Sequence, residues 1–446
     1  MCRIVRPGDS DYDSVRTDFN LRFDVRPRAI LFACNIADVV EGIRWARDEG
    51  IDLRPRAGGH SYEGYSLVED GLVIDISPIA HLEISPDQQQ ARIGGGIRLA
   101  DAYERLWAIE QLAIPAGTCG SVGLGGLALG GGFGLLSRQR GLTCDALVEA
   151  EMVTADGVVV RANESRESDL FWALRGGGGG NLGIVTELVF RVQPVGDMAI
   201  SLIRWPWEQL ADMLDAWQRW APGIDRRLFS VGLCPDPSQL PRVWSYLEGT
   251  PAELQSLIQP LLDVGTPTLA IPPRAVSWID LVRGSYASHE YLPTIDGTAA
   301  KFKSSSLYMF DLLPSDAIAT LTENLRRAPG SPPDMNFVQF DNMGGAVSDV
   351  SPEATAFVHR RALANLHFYS SWSDDAEEPA HVQWIDAFRK AMLPWATGAY
   401  VNYIDANIPD WPDQYYGSNF ERLRRVKTVW DPANVFHFPQ SIPPLT

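Results

Sequence analysis

The sequence predicts an α+β protein of two domains, on three observations. The chain has 446 residues, a length typical of two or three domains. Of its 39 glycines, 24 lie between Gly58 and Gly183, whereas the 11 between Gly196 and Gly398 accompany 9 of the 14 tryptophans. Helical and strand periodicities occur in both regions. We therefore expect a glycine-rich first domain and a second domain with an ordinary core and an aromatic-rich cavity.

In the first half, residues 37–49 have apolar side chains at helical spacing between a candidate N-cap, Asn35, and Gly50. The pair Asp156-Gly157 is a strong hairpin signal between two apolar runs. The other predicted helices are residues 99–107 and 168–174, and the predicted strands are 72–76, 148–154, 158–161 and 184–192.

In the second half, helices are predicted at 209–220 and 315–326 and strands at 337–340 and 366–372. Side chains alternate along a strand, so Gln339 and Asp341 share one face. Asn365, His367 and Tyr369 share a face of the next strand in the same way. If the two strands pair, these polar groups line one wall of a cavity; the alternative is a solvent-facing strand surface.

Composition and charge exclude several classes of function. Hydrophobic residues make up 45% of the chain and charged residues 21%, which is a globular balance. A net charge of −18 repels phosphate backbones, so we expect no nucleic-acid partner. No apolar run is long enough to span a membrane and no signal-peptide pattern is seen. We expect a cytoplasmic protein, unless export uses a route that the sequence does not show, with no evident protein partner.

The five cysteines are Cys2, Cys34, Cys119, Cys144 and Cys234. They are scattered and odd in number, so we expect neither a disulfide framework nor a CxxC metal site. We predict no bound metal.

Residues 123–128 fit the GxGxxG/A pattern of dinucleotide-binding folds, and Asp145 follows at a suitable distance. However, the pattern follows the turn-rich residues 115–120 rather than a strand, and the glycines continue to Gly134. We therefore favour a long loop that lines an extended cofactor and offers backbone N–H groups to a pyrophosphate.

A series of short motifs carries a family resemblance. They are RAGGHSY at 56–62, PAGTCGSVG at 115–123, GGGFG at 130–134, GLTCD at 141–145, DLFWALR at 169–175, NLG at 181–183, YVNY at 400–403, WDPANVF at 430–436 and QSI at 440–442. In this order they resemble the berberine-bridge-enzyme-like oxidases of the vanillyl-alcohol-oxidase superfamily. The resemblance covers nearly the whole chain, weakly between 196 and 330.

The resemblance implies a PCMH-type FAD-binding domain at residues 1–195 and a substrate domain at 196–399, the latter an antiparallel sheet backed by helices. Residues 400–446 would return to the FAD domain. A capping helix with a surface loop is the alternative for this tail.

The resemblance also implies covalent attachment of FAD through His60 and Cys119. A neutral imidazole can attack the 8-methyl carbon of the flavin, and a thiolate suits its C6 position. Without the resemblance, a lone histidine or cysteine is more often structural. Further cofactor contacts are implied for Arg56, Gly58, Gly59, Ser61, Gly117, Thr118, Val122, Gly123, Gly126, Gly132, Gly134, Leu142, Asn181, Gly183, Val185 and Asn402.

The implied reaction removes a substrate O–H proton at Tyr403 while a hydride passes to flavin N5, and O2 then reoxidises the flavin to give H2O2. Valine at 122 resembles the oxidase type. Gln339 and Asp341 resemble a pair of the oligosaccharide-oxidase branch, in which the glutamine contacts sugar hydroxyls and the aspartate pairs with the tyrosine base. Tyr62 resembles a sugar-contacting tyrosine of that branch.

Alternatives remain for the base and the substrate. Tyr403 could be a core aromatic residue, and as a base it needs a nearby cation or hydrogen bond, because a free tyrosine has a pKa near 10. The expected substrate is a sugar or oligosaccharide, oxidised at its anomeric alcohol to a lactone. An aromatic alcohol, phenol or amine is the alternative substrate, and a flavin-binding protein without turnover is the alternative function. The predicted substrate-side residues are Tyr62, Gln339, Asn365, His367 and Tyr369.

Overall fold

The computed structural model describes residues 3–284 and 299–445. A four-stranded, a five-stranded and a two-stranded sheet with helices form its first part, and a large seven-stranded sheet with helices forms its middle part. A mainly helical C-terminal segment follows. The predicted α+β class is confirmed.

Four strands form the first sheet. Its region contains β1 (Arg3–Val5), α1 (Tyr12–Val15), β2 (Ala29–Phe32), α2 (Ile36–Glu49), β3 (Leu53–Arg56) and β4 (Leu72–Asp75). The strand order is β1-β2-β4-β3, with β2 and β3 parallel to β4. Helix α2 begins where the Asn35 side chain accepts a hydrogen bond from the Asp38 backbone, and it ends at the left-handed Gly50. Both predicted ends of this helix are confirmed.

Five antiparallel strands form the second sheet. Its region contains β5 (Leu82–Ile84), β6 (Gln90–Gly94), α3 (Leu99–Trp107), β7 (Leu112–Ala113), α4 (Leu124–Leu129), α5 (Ser137–Arg140), β8 (Leu147–Val153), β9 (Val159–Asn163), α6 (Ser168–Ala173), β10 (Ile184–Arg191) and β11 (Gln193–Pro194). The order is β5-β6-β10-β8-β9, and β7 pairs separately with β11. The predicted hairpin is confirmed, since β8 and β9 pair around Gly157, whose φ of 74° favours glycine.

Seven antiparallel strands form the large sheet. Its region contains β12 (Met198–Arg204), α7 (Leu210–Trp220), β13 (Leu228–Pro235), β14 (Arg242–Glu248), α8 (Pro251–Leu262), β15 (Thr268–Val276), α9 (Trp278–Arg283), β16 (Lys301–Met309), α10 (Ser315–Arg326), β17 (Asn336–Asn342), β18 (Ala364–Trp372) and α11 (Glu378–Met392). The order is β15-β12-β14-β13-β17-β18-β16.

The two faces of the large sheet differ. On β18, Leu366 and Phe368 join an apolar core with helices α7, α8, α10 and α11, so the alternating His367 points to the other face. Strand β17 pairs with β18 and places Gln339 opposite His367. The predicted pairing of these strands is therefore confirmed, and Gln339, Asp341 and His367 all reach the same cavity.

The C-terminal segment packs back onto the first part of the chain. It contains a 3₁₀ turn at Val401–Tyr403 and helices α12 (Trp411–Tyr416) and α13 (Phe420–Trp430). The ammonium group of Lys427 donates to the Asn181 carbonyl at 2.6 Å, and the Ile442 N–H donates to Asn181 Oδ1 at 2.9 Å. These contacts agree with the predicted return of residues 400–446, although the boundaries after 195 and 399 stay predictions.

The cysteines require one correction. Cys34 is disulfide-bonded, whereas Cys119, Cys144 and Cys234 are thiols, and Cys2 lies outside the described residues. Scattered spacing did not reveal this bond, because folding alone decides which distant cysteines meet. Within residues 3–284 and 299–445, no helix has the length and apolar character needed to cross a bilayer.

Candidate active site

A cavity of about 350 Å³ is lined by the glycine-rich segments of the first part, strands of the large sheet and the C-terminal segment. This volume is within the usual range for small-molecule sites. Most of the predicted site residues line it. They are Arg56, Gly58, Gly59, His60, Ser61, Tyr62, Gly117, Thr118, Cys119, Val122, Gly123, Gly126, Gly134, Asn181, Gly183, Val185, Gln339, Asp341, His367, Asn402 and Tyr403.

Four predicted site residues do not line this cavity. Leu142 is buried in the apolar core, and the Gly132 N–H donates to the Tyr400 hydroxyl at 2.9 Å. Asn365 is fully buried, and Tyr369 belongs to a small aromatic core. Their positions do not support the direct contacts predicted for them, because packing decides which side chains of a strand or loop reach the cavity.

Gly58 and Gly123 let the two predicted attachment segments touch. A Cβ on Gly58 would lie 2.2 Å from the backbone nitrogen of Gly123, and a Cβ on Gly123 would lie 2.5 Å from that of Gly58. Neither position can carry a side chain without moving the backbone. This contact brings His60 and Cys119 to the same part of the cavity.

The Ser121 hydroxyl lies between the two predicted attachment residues. Its Oγ is 2.9 Å from His60 Nε2 and 3.5 Å from Cys119 Sγ. Phe19 stacks on the His60 ring at 4.1 Å. Burial, with a smaller effect of Arg98, lowers the pKa of His60 to about 3, so the imidazole is neutral near pH 7. When Nε2–H donates to Ser121, the lone pair of the neutral ring is on Nδ1.

The side of the cavity formed by residues 56–61, 117–126 and 178–183, here called the glycine wall, leaves room beside the main chain. A Cβ on Gly126 would meet no atom within 4 Å, and one on Gly179 would meet atoms only at 3.7 Å and beyond. An extended cofactor that lies against a backbone needs this room. The neutral imidazole of His60, the Cys119 thiol and this open space together fit FAD.

A second side of the cavity, here called the polar wall, is formed by Tyr62, Gln339, Asp341, His367 and Tyr403. Tyr403 stacks on His367 at 4.0 Å, with 17° between the ring planes, and on Tyr62 at 5.4 Å, with 7°. Burial lowers the pKa of His367 to about 3, so this ring is neutral. The stack holds the Tyr403 ring in one orientation.

Lys303 holds together the segments that carry two of these rings. Its Nζ lies 2.5 Å from a carboxylate oxygen of Glu63 and 2.5 Å from one of Asp405. Glu63 follows Tyr62, and Asp405 comes two residues after Tyr403. Burial lowers the pKa of Lys303, but the two carboxylates outweigh burial and raise it above its ordinary value. The ammonium group therefore stays charged, and losing it would leave two buried carboxylates uncompensated.

Asp341 titrates near neutral pH. Burial raises the pKa of its carboxyl group to about 7, although Gln339 Nε2 donates to its Oδ1 at 2.7 Å. Its Oδ2 is buried and has no hydrogen-bond partner among the described residues. A buried oxygen without a partner is unfavourable, so a substrate hydroxyl group would be well placed to supply the missing hydrogen bond.

A tyrosine base needs surroundings that lower its pKa, and the surroundings of Tyr403 raise it. Burial raises the pKa of Tyr403 well above its ordinary value, and the negative charge of Asp341 raises it further. The help expected for a tyrosine base is a nearby cation or a hydrogen bond, and the negative charge of Asp341 acts in the opposite direction from such a cation. Tyr403 alone is a neutral hydroxyl near pH 7, whereas Tyr403 and Asp341 together can accept one proton.

Sequence reasoning missed several apolar residues of the cavity, among them Phe19, Phe229 and Val231. Val231 lies opposite Asp341 in the sheet, so the alternation along β13 could have indicated it and Phe229. Phe19 lies outside any helix or strand, and no local pattern indicates that it stacks on His60.

Comparisons with known proteins agree with this geometry. A family model described as "FAD binding domain" matches residues 27–163, and one described as "Berberine and berberine like" matches residues 399–443. The FAD-linked oxidoreductase YgaK of Bacillus subtilis is 39% identical over 99% of this chain and 97% of its own. The chitooligosaccharide oxidase of Gibberella zeae is 30% identical over 98% of this chain and 91% of its own.

A solved structure of the glucooligosaccharide oxidase of Acremonium strictum, described with 6-S-cysteinyl, 8α-N1-histidyl FAD, has a TM-score of 0.92 and 26% identity over 100% of this chain and 97% of its own. The sequence relatives span nearly the full chain, including both walls of the cavity. The near-complete coverage by these relatives and the PCMH-type fold both agree with the space for FAD along the glycine wall. The chain therefore belongs to the berberine-bridge-enzyme-like family and is an FAD-linked oxidoreductase.

Proposed function

We propose that this chain is an oxidase with doubly attached FAD that converts the anomeric alcohol of a sugar or oligosaccharide to a lactone. The observation that carries the proposal is the composition of the cavity. One wall holds a neutral histidine and a thiol beside space for a flavin, and another holds Asp341, Gln339 and Tyr403 among stacked rings. A relative named chitooligosaccharide oxidase supports the substrate class.

The attachment residues in this proposal are His60 and Cys119. The glucooligosaccharide oxidase is described with a histidyl and a cysteinyl link to FAD, and both residue types stand on the glycine wall here. In the tautomer whose Nε2–H donates to Ser121 Oγ, the Nδ1 lone pair of His60 is left for bond formation. Gly58 supports this arrangement, because its close contact with Gly123 sets the separation of the two segments.

The proposed proton acceptor is the pair of Tyr403 and Asp341. Bound FAD would supply hydride acceptance at N5 and, with O2, formation of hydrogen peroxide. Tyr403 takes the hydroxyl proton of the substrate while its own proton passes to Asp341. The pKa values support these two roles. Burial keeps Tyr403 protonated, so Tyr403 can only pass a proton on, and burial raises the pKa of Asp341 to about 7, so Asp341 can accept that proton.

The polar wall suits a sugar better than a wholly aromatic substrate. The Gln339 amide offers polar atoms to hydroxyl groups, and the buried Oδ2 of Asp341, which has no partner among the described residues, can accept a hydrogen bond from one. The face of the stacked Tyr62 ring can pack against the C–H face of a sugar ring. An aromatic alcohol, phenol or amine offers one donor group to this wall, whereas a sugar offers several hydroxyl groups that can reach both Asp341 and Gln339.

The proposed partners are the small-molecule substrate and O2, and the proposed location is the cytoplasm. Cell fractionation followed by immunoblotting tests this location, and recovery of the protein outside the cytoplasmic fraction would contradict it.

The test is anaerobic mixing of the purified yellow protein with glucose, cello-oligosaccharides, chito-oligosaccharides, aromatic alcohols and amines. We expect a sugar to bleach the flavin spectrum, and added O2 to restore it with one H2O2 for each lactone formed. Bleaching only by an aromatic alcohol, phenol or amine contradicts the substrate class. Absence of bleaching by every compound would indicate a flavin-binding protein without turnover.

A further inference from the structure

Three metal-ligand side chains meet at a site outside the FAD cavity. Asp334 precedes strand β17, Glu377 precedes helix α11, and His381 lies in the first turns of that helix. One ligand atom from each lies within 4.8 Å of the other two. None of the three lines the cavity described above, so the oxidoreductase site does not account for them.

Hydrogen bonds to the neighbouring strands determine which nitrogen of His381 carries the proton. The Asn336 side-chain NH2 donates to the Pro329 carbonyl at 2.9 Å and to Asp236 Oδ2 at 3.3 Å, so Asn336 Oδ1 faces Ser370. Ser370 Oγ donates to that oxygen at 2.6 Å. It must therefore accept from His381 Nδ1–H, which lies 2.7 Å away. In a neutral His381 ring, Nε2 then carries a lone pair.

That lone pair faces carboxylate groups in a closed space. His381 is fully buried, and its Nε2 has no hydrogen-bond partner among the described residues. The nearest Glu377 oxygen is 3.9 Å from Nε2. Asp334 Oδ1 accepts two hydrogen bonds from Ser373, and Asp334 Oδ2 lies near the imidazole. A Cβ on Gly330 would be 2.6 Å from this Oδ2 and 3.1 Å from Nε2, so the residue that covers the space has no side chain.

We propose that His381 Nε2, Asp334 and Glu377 bind a divalent zinc-like cation. The Nε2 lone pair of His381 and the carboxylates of Asp334 and Glu377 face one another with no hydrogen atom between them, so they repel each other. A cation between the three groups removes that repulsion. One imidazole with two carboxylates suits Zn2+, whereas Ca2+ and Mg2+ prefer all-oxygen sites. Glu377 is half-exposed, so solvent can supply the remaining ligand.

The hydrogen-bonded Ser370 orients the ligand ring, as outer-shell partners of metal-bound histidines do. Because Asp334 precedes β17 and His381 lies in the first turn of α11, the cation would link the end of the large sheet to the helix that covers it. The proposed role is structural, since the site lies apart from the cavity.

A second proton on His381 is the competing explanation. Burial lowers the pKa of His381, while Asp334 and Glu377 favour its charged form. The two explanations predict different results. If the site binds a metal ion, added Zn2+ stabilises the folded protein at constant pH; if His381 only takes up a second proton, added Zn2+ has no effect.

The experiment uses the full-length holoprotein without a histidine tag, dialysed against a chelator and then titrated with Zn2+ in competition with a chromophoric chelator. We expect one equivalent to bind and the melting temperature to rise by roughly 2–4 °C or more. His381→Gln and Glu377→Gln should each weaken binding at least tenfold. Because Glu377 is half-exposed, Glu377→Gln should fold even if His381→Gln does not.

His81→Gln is the matched control, because His81 forms an exposed pair with Glu187 at 2.9 Å and should bind Zn2+ like the wild type. Failure of the wild type to bind, equal binding by wild type and Glu377→Gln, or stability that responds to pH but not to Zn2+ would overturn the proposal.

Discussion

The glycine wall and the polar wall of the cavity are formed in different ways. On the glycine wall, missing side chains let backbone segments approach each other and leave room for a cofactor, as the contact of Gly58 with Gly123 and the open space at Gly126 illustrate. On the polar wall, side chains from three regions of the chain stack and hydrogen-bond. One wall therefore depends on local backbone freedom, and the other on long-range packing.

Burial also acts with opposite consequences on the two walls. It lowers the pKa of His60 to about 3 and keeps that ring neutral. It raises the pKa of Asp341 to about 7, so that this carboxyl group gains or loses its proton near neutral pH. The proposed function uses the first effect for attachment of FAD and the second for proton transfer, and variants of each wall test the two roles separately.

The largest effect is expected on the glycine wall, where His60→Ala combined with Cys119→Ala should release all flavin from acid-denatured protein. Each single variant should keep one covalent link, because the two bonds use different atoms. The measurement is flavin absorbance in the supernatant and the mass of the intact protein. The exposed His81→Ala is the control, and FAD released from denatured wild type would contradict the covalent attachment.

On the polar wall, Tyr403→Phe should slow anaerobic flavin reduction by about 10²–10⁴, the usual contribution of general acid–base catalysis. The ring and its stack on His367 remain, so flavin attachment should be unchanged. Stopped-flow absorbance measures the rate, with Tyr65→Phe on another part of the cavity as the matched control. An unchanged rate would assign the proton to Asp341 or His367 without Tyr403.

Asp341→Asn should remove a pH dependence. Flavin reduction in the wild type should speed up as pH rises through about 7, because the accepting carboxylate forms there, and the variant should lack this rise. Combined with Tyr403→Phe it should be little slower than the slower single variant, since groups that act together are not additive.

The stability of the same variant gives an independent check. A folded-state pKa raised above the ordinary value near 3.9 means that folding favours protonated Asp341, and this contribution is lost as pH rises through about 7. Asp341→Asn should therefore gain stability relative to the wild type at pH 8 compared with pH 5. Denaturant unfolding measures both, and an equal difference at the two pH values would contradict the shifted pKa.

Val122→Leu should separate the two half-reactions by a smaller, several-fold effect. Val122 lines the cavity next to the attachment segment, and the extra methylene should hinder O2 while leaving reduction by substrate much less affected. Reoxidation of reduced enzyme with O2 measures this, with Val185→Leu on the same cavity as the control. If reoxidation is as fast as in wild type, Val122 only packs.

The smallest effect is expected for Ser121→Ala, which should slow covalent attachment of added FAD to the unflavinylated protein without lowering the final yield. In the proposed attachment, the Ser121 hydroxyl accepts from His60 Nε2–H across the 2.9 Å contact, and without this hydroxyl neither ring tautomer is favoured. Ser121→Thr keeps a hydroxyl and should attach FAD at the wild-type rate. In-gel flavin fluorescence over time measures the rate, and identical rates for Ala and wild type would assign Ser121 to packing.

Much of the glycine wall and the fold class followed from the sequence. Asn35 and Gly50 at the ends of α2, and Asp156-Gly157 in the hairpin, act over a few residues, so their patterns predicted the local structure. The place of the two glycine-rich segments that carry His60 and Cys119 at the cavity was predictable for the same reason, because glycine spacing and motif order are local. The sequence left open whether β17 pairs with β18 or their polar face is exposed to solvent.

Only the tertiary structure decided which groups carry a proton and which distant residues contact one another. Phe19 on His60 and Lys303 between Glu63 and Asp405 join residues whose separation in the chain leaves no shared pattern. The negative charge of Asp341 beside Tyr403 is a further contact of this kind. Desolvation depends on every segment that packs around a group. For this reason the sequence predicted most of the polar and glycine residues of the cavity, whereas the fold decided which predicted residues stay outside it, which apolar residues join it and which groups carry a proton.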